Sequence, residues 1–517
     1  MDVPSYYSLL TLVPIGIVTY VVLGAIYRLY FHPLSKFPGP KLAAITHLYE
    51  FYFNIIKDGM FIWEIERMHQ KYGPIVRITP HELHIKDPHF YDEIYASSAR
   101  KREKYIGFVA HFGAPLSMVT TINHDHHRLR RGVLNKYFSK QSVVRLEPII
   151  QEKVRKLAKR FEDASKTGTV VRLDAAYTAL TMDIITHYSY GASYNYLDED
   201  DFKISWKNAV LDASANGALL RHFPSVFTIS KRIPPWLLKK LDPQAAVLLE
   251  IQQMVRKQSI ESLENRASKK EPSQNTVFDA LNDPSLPPEE RTLDRLQDEG
   301  QILLGAGSET TAKTLTTITF HLLNNRSLLR KLKEELKQVM PTPSSTASWT
   351  ELEKLPYLSA VINEGLRLSY GVTTRLPRVA PNEALKYNDW VIPPGIHSLN
   401  VKRKTPVSES AYFVHMDPSI FPNPESFDPE RWIRAAEKGE RLDRFIVSFT
   451  KGSRQCLGIN LAYAELYLTL AGIVRRFDMD LYETTVDDVR LVRDRFFGAA
   501  KDGSLGVRAV ITGFDEE

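Results

Sequence analysis

The sequence is short of cysteine: Cys456 is the one thiol in 517 residues. A single cysteine can form neither an internal disulfide nor a cysteine-based zinc site. The chain therefore carries no mark of an oxidising compartment, which excludes a disulfide-stapled secreted domain. We expect the bulk of the chain to face the cytosol.

Strong charge imbalance and low-complexity sequence are also missing. The chain has 67 basic and 61 acidic residues, and a net charge of +6 at this length gives no general reason to expect nucleic acid as a partner. No Ser/Gly-rich linker or internal repeat divides the sequence. A hydrophobic fraction of 43% suits one large globular domain.

What the sequence does contain, near its start, is a long apolar segment. Residues 9–29 carry no charge until Arg28, and a helix of roughly 20 residues spans the hydrocarbon core of a bilayer. Pro14 lies near the start of this segment, where a helix tolerates it. A cleaved signal peptide is the alternative, but the segment lacks a basic n-region and a clear cleavage site.

Charges flanking this segment predict its orientation. Asp2 precedes it, whereas Arg28, Lys36 and Lys41 follow, so the positive-inside rule places the downstream body in the cytosol. The predicted organisation is a luminal N-terminus (1–8), a transmembrane anchor (9–29), a proline-rich hinge (30–45) and a cytosolic catalytic domain (46–517). Within the hinge, residues 37–40 (FPGP) form a stiff turn.

The remaining pattern predicts a mainly α fold with small β-sheets. Apolar residues alternate over 75–85, which favours a short hairpin, and helical periodicity dominates from Ser139 onward. Polar breaks at 268–275, 283–290 and 341–348 predict exposed loops between helices.

Cys456 lies in a distinctive stretch, FTKGSRQCLG. An amphipathic helix follows, and its positive end would stabilise a thiolate. Gly452 and Gly458 permit a tight turn and close approach to a flat macrocycle, Phe449 can pack beside the sulfur, and Arg454 can pair with a haem propionate. The alternative is a buried structural cysteine.

With Phe449, Gly452, Arg454, Cys456 and Gly458 in place, the stretch resembles the haem-binding motif of the cytochrome P-450 family, Phe-x-x-Gly-x-Arg-x-Cys-x-Gly. The resemblance implies the cytochrome P-450 fold and heme b, with Cys456 as the axial ligand of the haem iron.

A second motif places Glu364 and Arg367 at i, i+3 on one helical face, and Arg431 lies further on in PERW. Such a pair is usually solvated, but the apolar surroundings here favour a buried, mutually satisfied network. By resemblance these three residues hold the scaffold under the haem and have a structural role.

A third motif, LLGAGSETT at 303–311, lies in an apolar helix predicted to start near Leu293. Glycine inside a helix costs about 1 kcal/mol relative to alanine, so Gly305 and Gly307 indicate a flat ligand or a close helix. By resemblance, Thr310 stabilises bound dioxygen and Glu309 relays protons. The alternative is a close helix crossing with a solvated glutamate.

The segment 124–131 (HDHHRLRR) resembles the family's Trp-x-x-x-Arg element, with His127 in place of the tryptophan and Arg131 retained. By resemblance His127, Arg131 and Arg378 contact the haem propionates. A metal cluster is disfavoured because consecutive helical side chains diverge. Arg128 and Arg130 are interpreted as a solvated face or, with Lys451, as a basic patch for a redox partner.

Substrate contacts in the family come from segments that align with 105–118, 219–227, 370–374 and 496–500. These segments are apolar and aromatic, which predicts a lipophilic substrate of terpenoid or polyketide type. Residues 27–33 and 412–418 resemble membrane members of fungal secondary metabolism, including those similar to trichodiene oxygenase. One departure is the run IHSLNVKRK at 396–404, either a lineage-specific loop or a retained intron.

The resemblance implies a single-pass monooxygenase of the endoplasmic reticulum membrane that uses O2 and takes electrons from NADPH through a cytochrome P-450 reductase. Two alternatives are open: a haem-thiolate isomerase or peroxygenase, and a non-enzymatic haem-binding protein. The presence of Glu309 and Thr310 favours the monooxygenase.

Overall fold

The computed structural model describes residues 6–230, 232–234, 236–237, 240, 243–267, 276–398 and 401–514. The predicted loop at 268–275 lies outside the described residues. Two compact units divide the chain: Met1–Tyr105 with Arg375–Ser410, and Ile106–Thr374 with Ala411–Glu517. Most elements are helices and the sheets are small, which confirms the predicted fold class.

The first unit combines short helices with the largest sheet. Its helices are α1 (Tyr6–Ile26), α2 (Lys41–Ile45), α3 (Leu48–Phe51), α4 (Phe61–Tyr72) and α5 (Tyr91–Ile94), with π-helical turns at Tyr27–Phe31 and Tyr52–Ile56. Its strands are β1 (Ile75–Arg77), β2 (Leu83–Ile85), β3 (Glu103–Lys104), β5 (Arg378–Val379), β6 (Leu385–Tyr387), β7 (Trp390–Ile392), β8 (Ile396–Ser398), β9 (Val401–Arg403) and β10 (Val407–Ser408). Five of them form a sheet in the order β1-β2-β10-β5-β3.

The predicted hairpin at 75–85 is confirmed. β1 pairs antiparallel with β2, and Ile75 lies opposite Ile85. All six residues of the two strands are buried, and β10 pairs with the other edge of β2. Within the unexpected run at 396–404, β8 pairs antiparallel with β9.

The apolar N-terminal segment is helical. Within the described residues, Leu12–Phe31 is long and apolar enough to cross a membrane. Pro14 lies in the interior of α1, as its ninth residue, so the expectation that it lies near the start of the helix is wrong. None of the side chains of this segment is buried and most are exposed, as those of an anchor would be before insertion into lipid.

The proline-rich segment 37–40, predicted to be part of a hinge, lies against β1. The Pro38 carbonyl accepts a hydrogen bond from the Arg77 amide at 2.7 Å. A Cβ on Gly39 would lie 2.4 Å from the Arg77 carbonyl oxygen, so only glycine allows this approach. The buried Arg77 guanidinium donates to the Arg28 carbonyl at 2.8 Å and thereby joins the end of the apolar segment to the sheet.

The second unit contains the long helices. They are α6 (Ile106–Val109), α7 (His124–Asn135), α8 (Lys140–Thr167), α9 (Leu173–Tyr190), α10 (Ile204–His222), α11 (Pro224–Ser230), α12 (Pro243–Ala267), α13 (Val277–Leu281), α14 (Leu293–Asn324), α15 (Arg326–Leu336), α16 (Trp349–Leu352), α17 (Pro356–Ser369), α18 (Ala411–His415), α19 (Glu430–Glu437) and α20 (Ile459–Arg476). Its strands are β4 (Val171–Arg172), β11 (Phe477–Leu481), β12 (Arg493–Arg495), β13 (Phe497–Ala499) and β14 (Arg508–Phe514).

The core of this unit forms around α9 and α14, whose side chains are buried along most of their length. α14 begins at Leu293, as predicted, because the Thr292 hydroxyl caps it by accepting from the Arg295 amide. The same local chemistry starts α8, where Ser139 accepts from the Ser142 amide. α14 thus runs through the interior of the unit, and different faces of the helix pack against different elements.

One predicted exposed loop is wrong at its last residue. Glu290 at the end of 283–290 is buried, and its carboxylate accepts from His126 at 2.5 Å and from Arg130 at 2.7 Å. Both partners lie on α7, 164 and 160 positions away in the chain, so the local polar composition did not indicate the burial.

Candidate functional site

Cys456 sits at the end of a tightly closed loop before α20. Its amide donates to the Phe449 carbonyl at 2.9 Å, and the loop turns through Thr450 and Gly452, whose φ angles are 54° and 73°. A positive φ is inexpensive for Gly452 and strained for Thr450. The Phe449 ring packs against Tyr463 of α20 at a centroid distance of 5.4 Å, which joins the loop to the helix.

The Cys456 side chain is accessible although protein surrounds it. Burial raises the pKa of its thiol, while the Gly458 amide, as donor, and the Arg131 charge act in the opposite direction. The cysteine therefore faces an internal space, which does not fit the alternative of a closely packed structural cysteine. A Cβ on Gly458 would meet no atom within 4 Å, so the backbone beside the sulfur also borders open space.

Two arginines join this loop to α7. The Arg131 guanidinium donates to the Gln455 carbonyl, next to the cysteine, at 2.6 Å. From the loop side, Arg454 donates to the carbonyls of Thr121 and Ile122, which precede α7, at 2.6 and 2.7 Å. The loop and the start of α7 therefore form one hydrogen-bonded body next to Cys456.

The two faces of α7 differ from the sequence interpretation in one respect. His127 is buried one turn before Arg131, and the i, i+4 spacing places the two on one face of the helix. Arg130, interpreted as solvated, is buried and binds Glu290, so that assignment is wrong. Arg128 is exposed. In the part of the chain that the structure describes, no group of three His, Cys, Asp or Glu residues could hold a metal ion.

Gly305 and Gly307 of α14 serve different purposes. A Cβ on Gly307 would lie 2.8 Å from Ile185 Cγ1 of α9, so this glycine allows two core helices to approach closely. A Cβ on Gly305 would meet no atom within 4 Å. Gly307 therefore fits the explanation of a close helix, and Gly305 borders the open space that a flat ligand would need.

Thr310 lies on an accessible stripe of this buried helix. Ala306, one turn earlier, is exposed and Thr310 is half-buried, and the Thr310 hydroxyl donates to the Ala306 carbonyl at 2.9 Å. Such a bond bends helices and leaves the hydroxyl oxygen able to accept from a bound group.

Glu309 points to a different side of α14 and is buried. Its Oε1 accepts from Lys207 Nζ of α10 at 2.6 Å, and its Oε2 accepts from the Thr178 hydroxyl of α9 at 3.2 Å. Burial alone would lower the pKa of Lys207, but Glu309 and Asp174 together raise it. The solvated glutamate of the alternative interpretation is thus excluded, and the carboxylate belongs to a buried ion pair.

The structure brings Glu364, Arg367 and Arg431 together. Arg367 donates to both oxygens of Glu364 at 2.8 and 2.9 Å, and Arg431 donates to Oε1 at 3.1 Å. The remaining Arg367 donors bind the carbonyls of His415, Pro424 and Ser426. Glu364 and Arg367 expose none of their surface, so each charge is compensated inside the protein.

Arg378 belongs to the first unit, in β5. It is buried, and its guanidinium lies over the Tyr95 ring at 5.2 Å. Its NH1 donates to the Leu376 carbonyl at 3.1 Å. Its assignment to a propionate stays a prediction.

The four segments predicted to contact substrate meet in the second unit. The Phe496 ring lies 4.7 Å from that of His111, the Phe496 carbonyl accepts from the Thr373 amide at 3.0 Å, and the Arg221 guanidinium lies 5.3 Å from the Phe108 ring. Segments far apart in the chain thus form one largely aromatic cluster.

Sequence reasoning missed two groups near these helices. Lys207 is the partner of Glu309, and nothing local marks it. Glu465 of α20 is buried and hydrogen-bonds Thr311 of α14, and burial raises the pKa of this carboxyl well above its usual range. An acidic residue within an otherwise apolar helical stretch was the feature of the sequence that could have indicated this buried carboxyl.

The residues present fit a thiolate-ligated haem. The accessible cysteine, the open surfaces at Gly458 and Gly305, and the arginine next to the cysteine match the chemistry that a flat, anionic, iron-bearing group needs. Cys456 would supply the iron ligand. His127 and Arg131 would hold the propionates.

Comparisons with known proteins agree with this geometry. The family model described as Cytochrome P450 matches residues 40–495. Conidiogenone synthase PchP450 of Penicillium rubens is 53% identical over 497 residues, covering 96% of this chain and 98% of that protein. Cytochrome P450 monooxygenase aflU of Aspergillus parasiticus is 46% identical, with 96% and 97% covered. Cytochrome P450 monooxygenase TRI4 of Trichoderma arundinaceum is 45% identical, with 92% and 90% covered.

Proposed function

Because this chain belongs to the cytochrome P450 family and is a monooxygenase of that family, we propose that it inserts one oxygen atom of O2 into a lipophilic secondary-metabolite intermediate of terpenoid or polyketide type. The observation that carries the proposal is the accessible Cys456 thiol, held next to Arg131 in a unit whose central helix presents Thr310 on an open stripe. The aromatic cluster of His111, Phe112 and Phe496 supports an apolar substrate.

The cofactor is heme b. When bound by a cysteine thiolate, haem supplies the electron-rich iron that activates dioxygen. Cys456 provides the thiolate, stabilised by the Gly458 amide and the start of α20. His127 and Arg131 are proposed to hold the propionates, and Phe449, Gly452 and Gly458 shape the loop beside the ring.

Proton delivery falls to Thr310 and Glu309. The Thr310 hydroxyl donates to the Ala306 carbonyl and can accept a hydrogen bond on the open side of α14. Glu309, the residue before Thr310, supplies a carboxylate. This carboxylate is bound to Lys207, and it becomes able to transfer a proton when that ion pair opens. The helix thus places a hydroxyl at the open surface and an acid behind it.

Electrons are proposed to come from NADPH through a cytochrome P450 reductase at the endoplasmic reticulum membrane. The apolar segment Leu12–Phe31 supports an anchor there, with the catalytic body on the cytosolic side. Protease protection of microsomes tests this topology: the body should be digested without detergent, and protection of the body would contradict it.

Turnover decides between the candidate functions. With reductase, NADPH and isotopically labelled dioxygen, a panel of terpenoid and polyketide compounds should yield a product that carries one labelled oxygen. Product formed with hydrogen peroxide but not with reductase and NADPH would instead indicate a peroxygenase, and conversion without labelled oxygen in the product would indicate an isomerase. Thr310→Ala should divert electrons to hydrogen peroxide, and a tightly coupled variant would exclude the role of Thr310.

A further inference from the structure

The accessible stripe of α14 carries a cation that the proposed chemistry does not use. Ala306, Thr310 and Lys313 are spaced i, i+4 and i+7, which places them on one helical face. Lys313 is half-buried like Thr310, whereas Glu309, Thr311 and Ala312 between them are buried. A lysine therefore shares the surface that presents Thr310.

The Lys313 ammonium lies beside two of the predicted substrate segments. Its Nζ donates to the Gly498 carbonyl at the β12–β13 hairpin. A Cβ on Gly498 would lie 2.8 Å from Nζ and 3.0 Å from Thr373 Cγ2, so glycine at this position leaves room for the lysine. The ammonium thus borders segments 370–374 and 496–500.

The two neighbouring acids bind other groups. Glu309, one turn earlier, is paired with Lys207. Asp494 of β12 accepts from the hydroxyls of Thr373 and Thr374, and burial raises the pKa of its carboxyl. Among the described residues, neither acid forms an ion pair with Lys313, whose ammonium uses one of its three donors on the neutral Gly498 carbonyl.

We propose that Lys313 binds a carboxylate of the substrate, so that the substrate class is a lipophilic acid. This rests on the proposed function, because it concerns the substrate of the same site. The substrate carboxylate forms an ion pair with the Lys313 ammonium and accepts hydrogen bonds from its two remaining N–H groups. Charge-assisted hydrogen bonds of this kind are strong. The apolar remainder of the substrate then lies against the aromatic cluster around Phe496.

Burial lowers the pKa of Lys313 to about 8, with Glu309 and Asp494 opposing the shift and Lys207 adding to it. The ammonium is therefore the main form at neutral pH, and it is lost as the pH rises through about 8. Carboxylates stay ionised over this range. Selectivity for an acid should thus decrease at alkaline pH.

Farnesoic acid and methyl farnesoate are a matched pair of probes for this site. Spectral titration of the haem-loaded full chain should show that the acid binds about tenfold more tightly than the ester, a difference of about 1.4 kcal/mol. Lys313→Met should abolish that ratio, and Lys313→Arg should retain it above pH 8. Lys257→Met, at an exposed lysine, is the control and should keep the ratio.

Equal affinity for acid and ester in the wild type, or a preference that survives Lys313→Met, would overturn the proposal. So would an equal loss of both ligands in Lys313→Met, since Lys313 would then only anchor the hairpin. The ferrous carbonyl spectrum and NADPH-dependent oxygen use test the proposed function separately. If both are intact and no acid preference exists, only the role of Lys313 fails.

Discussion

Lys207 Nζ lies 2.6 Å from Glu309 Oε1, and both side chains are buried between α9, α10 and α14. The acid expected to relay protons is thus one half of an ion pair. Asp174 lies 3.7 Å from the same Lys207 Nζ, so the lysine joins two carboxylates. For Glu309 to transfer a proton, its ion pair with Lys207 has to open. Because Lys207 lies on α10, proton transfer then depends on the position of that helix.

Removing one partner of the pair should be more harmful than removing both. Lys207→Met leaves Glu309 charged in the interior and should lower the free energy of unfolding by about 3 kcal/mol. The double variant Lys207→Met/Glu309→Leu should lose less, because no uncompensated charge remains. Urea unfolding followed by tryptophan fluorescence measures both, and a Lys207→Met variant as stable as the wild type would contradict the burial of the pair.

The Glu364 network should be essential to the fold. Arg367→Ala removes five hydrogen bonds and leaves Glu364 buried, so we expect a loss of about 4 kcal/mol or more and little haem incorporation. The matched control is Arg434→Ala, which breaks an exposed pair with Asp428 and should cost less than about 1 kcal/mol. The yield of soluble haem-loaded protein compares the two, and similar yields would count against a structural role of the network.

The two glycines of α14 should respond differently to alanine. Gly307→Ala forces a methyl group against Ile185 and should destabilise the protein by about 1–3 kcal/mol. Gly305→Ala meets open space and should raise helix stability by up to about 1 kcal/mol. Thermal unfolding measures both effects, and a stable Gly307→Ala variant would exclude the close helix contact.

Acid should destabilise the first unit through two buried histidines. His69 Nε2 and His84 Nδ1 lie 2.8 Å apart, and His84 Nε2 lies 3.2 Å from the Ser410 hydroxyl. Burial lowers the pKa of His69 to about 4 and that of His84 well below its usual range. The unfolded state therefore binds more protons, and stability is lost as the pH falls from about 6.5 towards 4.

This loss should reach about 3 kcal/mol for His69 alone over that window. Unfolding free energies measured between pH 7 and pH 4 give the slope. His84→Gln should flatten it, whereas His89→Gln, at an exposed position, should not. An unchanged slope in His84→Gln would mean that other groups cause the acid sensitivity.

The sequence predicted features that rest on local chemistry. The Cys456 loop, the helical periodicity from Ser139 onward and the hairpin at 75–85 depend on residues close to each other in the chain. Lys207 and Glu309 are 102 positions apart, and Arg130 and Glu290 are 160 apart, so their pairing depends on helix packing that no local pattern encodes. Lys313 is an intermediate case, because its spacing from Thr310 was visible but the Gly498 contact was not.

The central claim is that Cys456 ligates the haem iron, and the carbonyl difference spectrum of the reduced protein tests it most directly. The wild type should show the red-shifted Soret band of a thiolate-ligated ferrous carbonyl. Cys456→Ser should lose that band even when it retains haem. A Cys456→Ser variant with an unchanged spectrum would contradict the account.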